Sequence, residues 1–473
     1  MVKAAVRSSS EQDTSTARDF APVYLEESAR DHVWIHSLPW AELAEKDGFR
    51  VFDRGEASTI YDIQGRGYFD AISGLWVVNA GHGRKDIAAR MGEQAGRLAY
   101  ASAMSFTTVP QVQLAEMIAQ RTPGDLNRVF FCSGGSEAVE SAIKIAKQVQ
   151  TMRGFPRRYK IIGRRGSYHG MTYGAMSITQ SVRDEASFGP YMYGVYHVPH
   201  PDRYRSDFGV EGEQADIMAA KAVELEIIYQ GPETVAAVIG EPISTAAGVH
   251  VPSPIYWQML RETCDKYGVL LICDEVINGF GRTGKMFAQE LFGIQGDIMT
   301  IAKALSSGYA PIAAAVVSDR VYDIFKEKDQ TPMGHLLTFG GHPVACAAAI
   351  RNLEIFDEEN LVGKGNEMGT YLGQQLETLT SHPSVGQVRG IGMVWGLDLV
   401  SNKETREKFA KDSKFKKALG QLLMDRNIVT RVWDVMHFAP PLVVTKAEID
   451  DLVTKVDDAL TVAENEYASE IVA

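Results

Sequence analysis

The stretch from Leu270 to Gly284, followed by a solitary lysine at Lys303, constrains this chain more than any other part of it. Between Gly268 and the acidic pair Asp274 and Glu275 lies ValLeuLeuIleCys, apolar at every position. A strand with one face in water alternates, whereas a strand covered on both faces of a parallel sheet reads as such a continuous run. Asp274 then stands at the carboxyl end of a buried strand, where open α/β sheets gather ligands. A carboxylate there is costly unless a cation meets it. Lys303 ends a second apolar run, IleMetThrIleAla at 298–302, and enters a turn, AlaLeuSerSerGly. A lysine at such an edge can lose its proton and become a nucleophile.

Further short apolar runs stand at 128–132, 159–163, 235–239 and 313–317. Helical stretches at 85–99, 111–120 and 137–150 interleave with them, which predicts an α/β fold with a mainly parallel sheet flanked by helices. Residues 48–69 alternate and turn, as in a small antiparallel meander. After Pro343 the pattern predicts a long helix and then one half-exposed strand over 388–399. Helix, strand, helix and strand finish the chain. The polar residues 1–18 read as a disordered stretch or an arm. Residues 72–343 read as a large domain, and 19–71 with 344–473 as a smaller α+β domain built from both ends.

A chain of 473 residues can bury a large core. Its net charge of −12, with no basic stripe, argues against a nucleic-acid partner. The four cysteines are scattered without a CxxC pair, which fits thiols in a reducing compartment. No apolar run reaches the roughly 18–20 residues of a membrane helix, and no apolar signal core opens the chain. Cytoplasmic residence is the expectation.

A buried acid and a buried lysine at two strand ends suit pyridoxal 5'-phosphate, whose aldehyde forms a Schiff base with lysine and whose ring nitrogen needs an acidic partner. AspGluValIleAsnGlyPheGlyArgThrGly at 274–284, with IleAlaLysAlaLeuSerSerGlyTyr at 301–309, resembles the signature of the class III pyridoxal-phosphate aminotransferases, a fold-type I family. The resemblance runs from AspHisValTrpIleHis at 31–36 to AlaProProLeuVal at 439–443, and within the family it is nearest to the amine–pyruvate or ω-aminotransferases. It implies a transaminase working by two half-reactions, with Lys303 as covalent anchor and proton shuttle and Asp274 on the ring nitrogen. At about 4 Å and an effective dielectric near 20, that ion pair is worth roughly 4 kcal/mol. Related chemistry, a decarboxylating transaminase or an aminomutase, uses the same lysine and aspartate.

SerGlyGlySerGluAla at 133–138 joins a strand to a helix start, where free amides cradle a dianion. By the family match, Gly135 and Ser136 bind the phosphate. The same match implies that Tyr168 stacks on the ring opposite Val276, that His169 supports its loop, and that Glu241 hydrogen-bonds around Asp274 or the cofactor hydroxyl. The resemblance further implies that Thr338 reaches the phosphate of a neighbouring subunit, and with it an obligate homodimer or a tetramer built from such dimers. Leu75 and Trp76 resemble the aromatic wall of amine-accepting members, with Tyr168 beside them, and Arg431 resembles their mobile arginine. Substrates would be a small amine donor and an oxo-acid acceptor. Ser244, Thr245 and Ala246 replace a usual glutamine, a departure expected to widen the pocket.

Three weaker signals carry no function. Gly279 to Gly284 matches G-x-G-x-x-G, the one basis for a nicotinamide-dependent dehydrogenase, but no acidic residue follows in that context. His32 and His36 are four apart with no third metal ligand near in sequence, and no metal is expected. The arginine doublets at 157–158 and 164–165 read as a solvated face.

Overall fold

The computed structural model describes residues 22–36, 50–181, 185–327 and 331–472. Residues 1–18, read as a disordered stretch or an arm, lie outside the described residues. The chain divides into two compact units, Met1–Arg54 with Ile60–Gly67, and Gly55–Thr59 with Tyr68–Ala473. The first holds the helix Pro22–His32 and a turn fixed by Asp62, whose carboxylate accepts from the backbone N–H of Gln64 and Arg66. Strands at Phe52–Glu56, Thr59–Asp62 and Gly67–Asp70 stand where the sequence predicts the meander.

The second unit is organised around a seven-stranded sheet. Its strands in chain order are β1 Leu126–Cys132, β2 Lys160–Arg164, β3 Val195–Val198, β4 Val235–Gly240, β5 Leu270–Asp274, β6 Ile298–Ile301 and β7 Ala313–Ser318. Their spatial order is β1-β7-β6-β5-β4-β2-β3. Pairing is parallel from β3 through to β6. Only β7 runs against both its neighbours, opposing Ile301 with Ala314 and Cys132 with Ala313. The carboxyl ends of β1, β2, β4, β5 and β6 therefore open on one edge, with the start of β7 among them.

Period-2 alternation explains why the strand runs are apolar throughout. Ile161, Ala237, Ile239, Leu270 and Ile272 face one layer, where the helix Gly135–Met152 buries Val139, Ala142, Ile143, Ala146 and Val149. Ile162, Val238, Leu271 and Cys273 face the opposite layer, beside Val223 and Ile227 of the helix Gly212–Gln230 and Trp257 and Leu260 of the helix Pro254–Tyr267. Asp274 continues the parity of Leu270 and Ile272, so it faces the layer of the helix Gly135–Met152.

The carboxyl-terminal region departs from expectation in three places. Residues 388–399 are not one strand but a hairpin, β8 Val385–Ile391 and β9 Val394–Asn402, with Ile391 paired to Val394. Gly392 makes the two-residue turn at φ 54°, and a Cβ there would lie 2.4 Å from the Thr283 carbonyl carbon. The long helix after Pro343 is two helices, Pro343–Glu358 and Leu361–Glu377, broken at Asn360 with φ 49°. The chain finishes not on a strand but on the helix Lys446–Glu466, opened by a capping box between Thr445 and Glu448. Its buried Ile449, Leu452, Val453, Val456 and Leu460 keep helical spacing.

Candidate active site

The common strand edge encloses a cavity of about 330 Å³. Each wall follows a strand: Ser133–Ser136 after β1, Tyr168–Gly170 after β2, Glu241 after β4, Asp274, Val276 and Ile277 at β5, and Lys303 after β6. This is the crevice that a mainly parallel sheet makes beyond its carboxyl ends.

Asp274 is buried and held by three donors. His169 Nδ1 donates to Oδ2 at 2.7 Å, and Thr300 Oγ1 and the Val276 N–H donate to Oδ1 at 2.9 and 3.1 Å. His169 is itself placed by its backbone N–H, which donates to Thr179 Oγ1 at 2.8 Å. Its Nε2 is buried without a hydrogen-bond partner among the described residues. The expectation that His169 supports its loop thus leaves out its principal contact, the one to Asp274.

Lys303 occupies left-handed backbone at φ 47°. That conformation costs a side-chain-bearing residue about 1–3 kcal/mol and persists only where the surroundings impose it. Burial lowers the Lys303 amine to about 8, against the opposing pull of Asp274 and with a further push from the Arg431 charge. A substantial fraction of the amine is therefore unprotonated, and nucleophilic, near neutral pH.

The helix Gly135–Met152 begins at the cavity with no side-chain cap, and Gly134 precedes it. Its first amides have no intrahelical acceptor and offer N–H groups to an anion. A Cβ on Gly134 would meet no atom within 4 Å, so that side of the loop is open, whereas one on Gly135 would press on Val276 at 3.0 Å. Ser136 Oγ accepts from the Met171 N–H at 3.1 Å and keeps its own proton to donate.

Glu241 accepts from Arg164 Nη2 at 2.8 Å and from the Tyr168 N–H at 3.0 Å. Burial raises its carboxyl, but His169, Arg164 and the Tyr168 amide outweigh this and hold it below the ordinary range. It reaches Asp274 through His169, whose Nε2 is 3.8 Å away, and not directly. Ser244 and Thr245 are buried in a turn closed by the Ser244–His250 pairing and do not line the cavity.

The substrate-side candidates are less tightly grouped. Trp76 is buried, Leu75 is exposed, and it is Val77 that lines the cavity. The Arg431 guanidinium lies 4.7 Å from the Trp433 ring and 5.5 Å from that of Trp76. Its charge is felt by both Tyr168 and Lys303. Thr338 is exposed and outside this cavity, and its carbonyl accepts from the Tyr100 hydroxyl at 3.1 Å. The G-x-G-x-x-G segment is structural: Arg282, fully buried, donates to the carbonyls of Met393 and Pro440 and to Ser73 Oγ.

The residues present fit pyridoxal phosphate. A partly deprotonated amine, a fixed carboxylate and an uncapped helix start share one cavity. Sequence reasoning gave no role to Thr300 or to the rim from Ser306 to Ile312, and Arg164, read as part of a solvated face, is instead buried against Glu241. Thr300 was within reach, because its parity along β6 sets it beside Asp274.

The family description Aminotransferase class-III matches residues 42–460. The chain belongs to the class III aminotransferases. This aminotransferase is 37% identical to the putrescine–pyruvate aminotransferase of Pseudomonas aeruginosa, over 90% of this chain and 93% of that one. Its structure is similar to that of a thermostable (S)-enantioselective ω-transaminase from Thermomicrobium roseum, with a TM-score of 0.90 at 37% identity, covering 94% of this chain and 100% of that one. The ω-transaminase of Pseudomonas jessenii, solved in complex with PMP, has a TM-score of 0.90 at 34% identity and covers 94% and 99%. The aminotransferase is thus a pyridoxal-phosphate-dependent enzyme that carries an amino group from an amine donor to an oxo-acid acceptor. No helix among its described residues is long and apolar enough to cross a membrane.

Proposed function

We propose that this aminotransferase takes its amino group from a primary amine or an ω- or β-amino acid and gives it to pyruvate or another 2-oxo acid. One observation carries the reading: Arg431, whose charge acts on Tyr168 and Lys303, rests against two indole rings, with no carboxylate partner among the described residues. Such an arginine can fork onto an oxo-acid carboxylate and withdraw for an uncharged amine. Pyruvate as acceptor and a simple amine as donor also agree with the name of the Pseudomonas aeruginosa relative.

In this reading Lys303 anchors the cofactor and carries the proton taken from the donor Cα. Asp274, oriented by His169 and Thr300, holds the ring-nitrogen proton. Gly135, Ser136 and the helix start bind the phosphate, and Val276 and Tyr168 enclose the ring. When bound, pyridoxal phosphate supplies the electron sink for the Cα carbanion. Thr338 serves the phosphate of a partner subunit, which makes the enzyme a homodimer. Exposed Leu336 and Phe339 beside Thr338, and exposed Met104 and Phe106, supply apolar surface for such a contact. Four free, buried cysteines suit a cytoplasmic enzyme.

The test is a screen of diamines, β-amino acids, amino sulfonates and aryl amines against pyruvate and 2-oxoglutarate, reading alanine or glutamate formed. Turnover confined to α-amino acids would sink the subgroup reading. Borohydride reduction and peptide mapping should place the cofactor on Lys303, and a label on another lysine would overturn the site.

A further inference from the structure

Away from the active-site cavity, His200, Asp202 and His250 bring three ligand atoms within 4.8 Å of one another. His200 and Asp202 follow β3, and His250 closes the turn after β4 by pairing with Ser244. The hydrogen bonds around them fix where the protons are. His200 Nδ1 lies 3.0 Å from the Arg165 carbonyl, an acceptor only, so Nδ1 carries the proton. Its Nε2 is then a bare lone pair, and it is buried with no hydrogen-bond partner among the described residues. His250 Nε2 lies 3.1 Å from the Ala247 carbonyl, so the proton is on Nε2 and Nδ1 carries the lone pair. That lone pair faces Asp202 Oδ1 at 3.6 Å, outside hydrogen-bond distance.

The cluster therefore holds two imidazole lone pairs and a carboxylate, with no proton left between them. Asp202 Oδ1 also accepts from the Tyr204 and Arg205 N–H groups at 2.8 Å, but no donor lies between the carboxylate and the two imidazole lone pairs among the described residues, and such converging acceptors favour a cation. In both rings the remote N–H is anchored on a backbone carbonyl, the arrangement that orients metal-bound histidines. Of the surrounding guanidiniums, Arg389 shares Asp398 with Arg205, Arg164 is paired with Glu241 at 2.8 Å, and Arg406 is paired with Glu211 at 2.8 Å.

We propose that His200, Asp202 and His250 form a site for a divalent transition-metal ion of the zinc class. Two imidazoles and one carboxylate suit Zn²⁺, Co²⁺ or Ni²⁺ and not the oxygen-preferring Mg²⁺ or Ca²⁺. Asp202 and His250 also line a cleft of about 640 Å³, from which water can complete the coordination.

The experiment uses the holoenzyme, treated with chelator, dialysed, and titrated with Zn²⁺ against a chromophoric competitor and separately with Co²⁺. The wild type should take up one tight equivalent per chain, and the Co²⁺ form should show visible ligand-field bands. Asp202→Asn keeps an Oδ1 acceptor for the Tyr204 and Arg205 N–H groups, so the turn survives while the charge is lost. It should weaken binding at least tenfold, as should His250→Gln, with circular dichroism and thermal melting confirming that each variant is folded. No tight equivalent in the wild type, or unchanged affinity in a folded Asp202→Asn protein, overturns the site. A preference for Mg²⁺ or Ca²⁺ over Zn²⁺ overturns it equally.

Discussion

His169 donates from Nδ1 to Asp274 Oδ2 at 2.7 Å, and both side chains are buried. The two lie 105 positions apart in sequence, on loops that the sheet brings to one edge. The bond leaves Asp274 with both oxygens occupied by donors, so its carboxylate cannot rotate as a substrate enters. It also makes His169 a positioning residue for the acid that we propose serves the cofactor ring.

His169→Gln should therefore retain cofactor yet turn over slowly. A charge-assisted hydrogen bond of this kind is worth about 1.5–3 kcal/mol, or roughly ten- to hundred-fold in kcat. Asp274→Asn should lose more, about 2–4 kcal/mol, because it removes the charge itself. A shifted absorption band of bound cofactor in both variants separates electronic loss from simple disorder. A His169→Gln enzyme with wild-type kcat and spectrum would falsify the positioning role.

The lowered Lys303 amine predicts the pH dependence of cofactor capture. In cofactor-free enzyme the capture rate should rise about tenfold per pH unit and level off near pH 8, where the amine becomes neutral. An unperturbed lysine would level off only above about pH 10. The sign for stability follows from the same shift. The folded value lies below the unfolded one, so the penalty is complete below about 8 and is relieved as pH rises toward the unfolded value of 10.5. Asp274→Asn removes the charge that favours the ammonium, so the break should move down. A break that stays near 10 in the wild type contradicts a desolvated amine.

Arg164 and Glu241, the latter in the cavity wall, form a buried ion pair at 2.8 Å. Arg164→Leu should destabilise the fold by about 3–5 kcal/mol, since it strands a buried carboxylate. Adding Glu241→Leu should recover much of that loss. Because the folded Glu241 value is lowered, its contribution is present above the ordinary carboxylate pKa and fades as pH falls through the folded value. Denaturant unfolding of the two variants at neutral and acidic pH reads both effects. Equal stability of single and double variants would show that the pair is not coupled.

Much of this site is legible in the sequence where function and strand position coincide. Asp274 follows a continuous apolar run and Lys303 a mainly apolar one, and Gly134–Ser136 mark the passage from a strand into a helix. What the sequence hides are relations made by distant segments. His169 carries no mark of its partner. His200, Asp202 and His250 are too far apart for a spacing rule, whereas His32 and His36 satisfy one with no third ligand near them in sequence. The hairpin at Gly392 reads as a continuous strand because both arms alternate alike, and only the left-handed turn separates them.

Arg431 should govern the oxo-acid half-reaction. Its guanidinium rests between the rings of Trp433 and Trp76 at 4.7 and 5.5 Å, a contact worth about 0.5–2 kcal/mol. Such a resting place is strong enough to order the side chain and weak enough to release it. A bidentate carboxylate contact returns about 1.5–3 kcal/mol, so a bound oxo acid can draw the arginine off the indoles. Arg431→Ala should then lower kcat/KM for pyruvate roughly ten- to hundred-fold and leave the half-reaction with an aryl amine nearly unchanged. Trp433→Ala should act in the opposite sense on the amine side, because an arginine without its resting place stays in the pocket and obstructs an uncharged donor. Single-turnover measurement of each half-reaction in both variants decides the matter. Equal losses for pyruvate and the aryl amine in Arg431→Ala would make the arginine structural and assign carboxylate recognition to another residue.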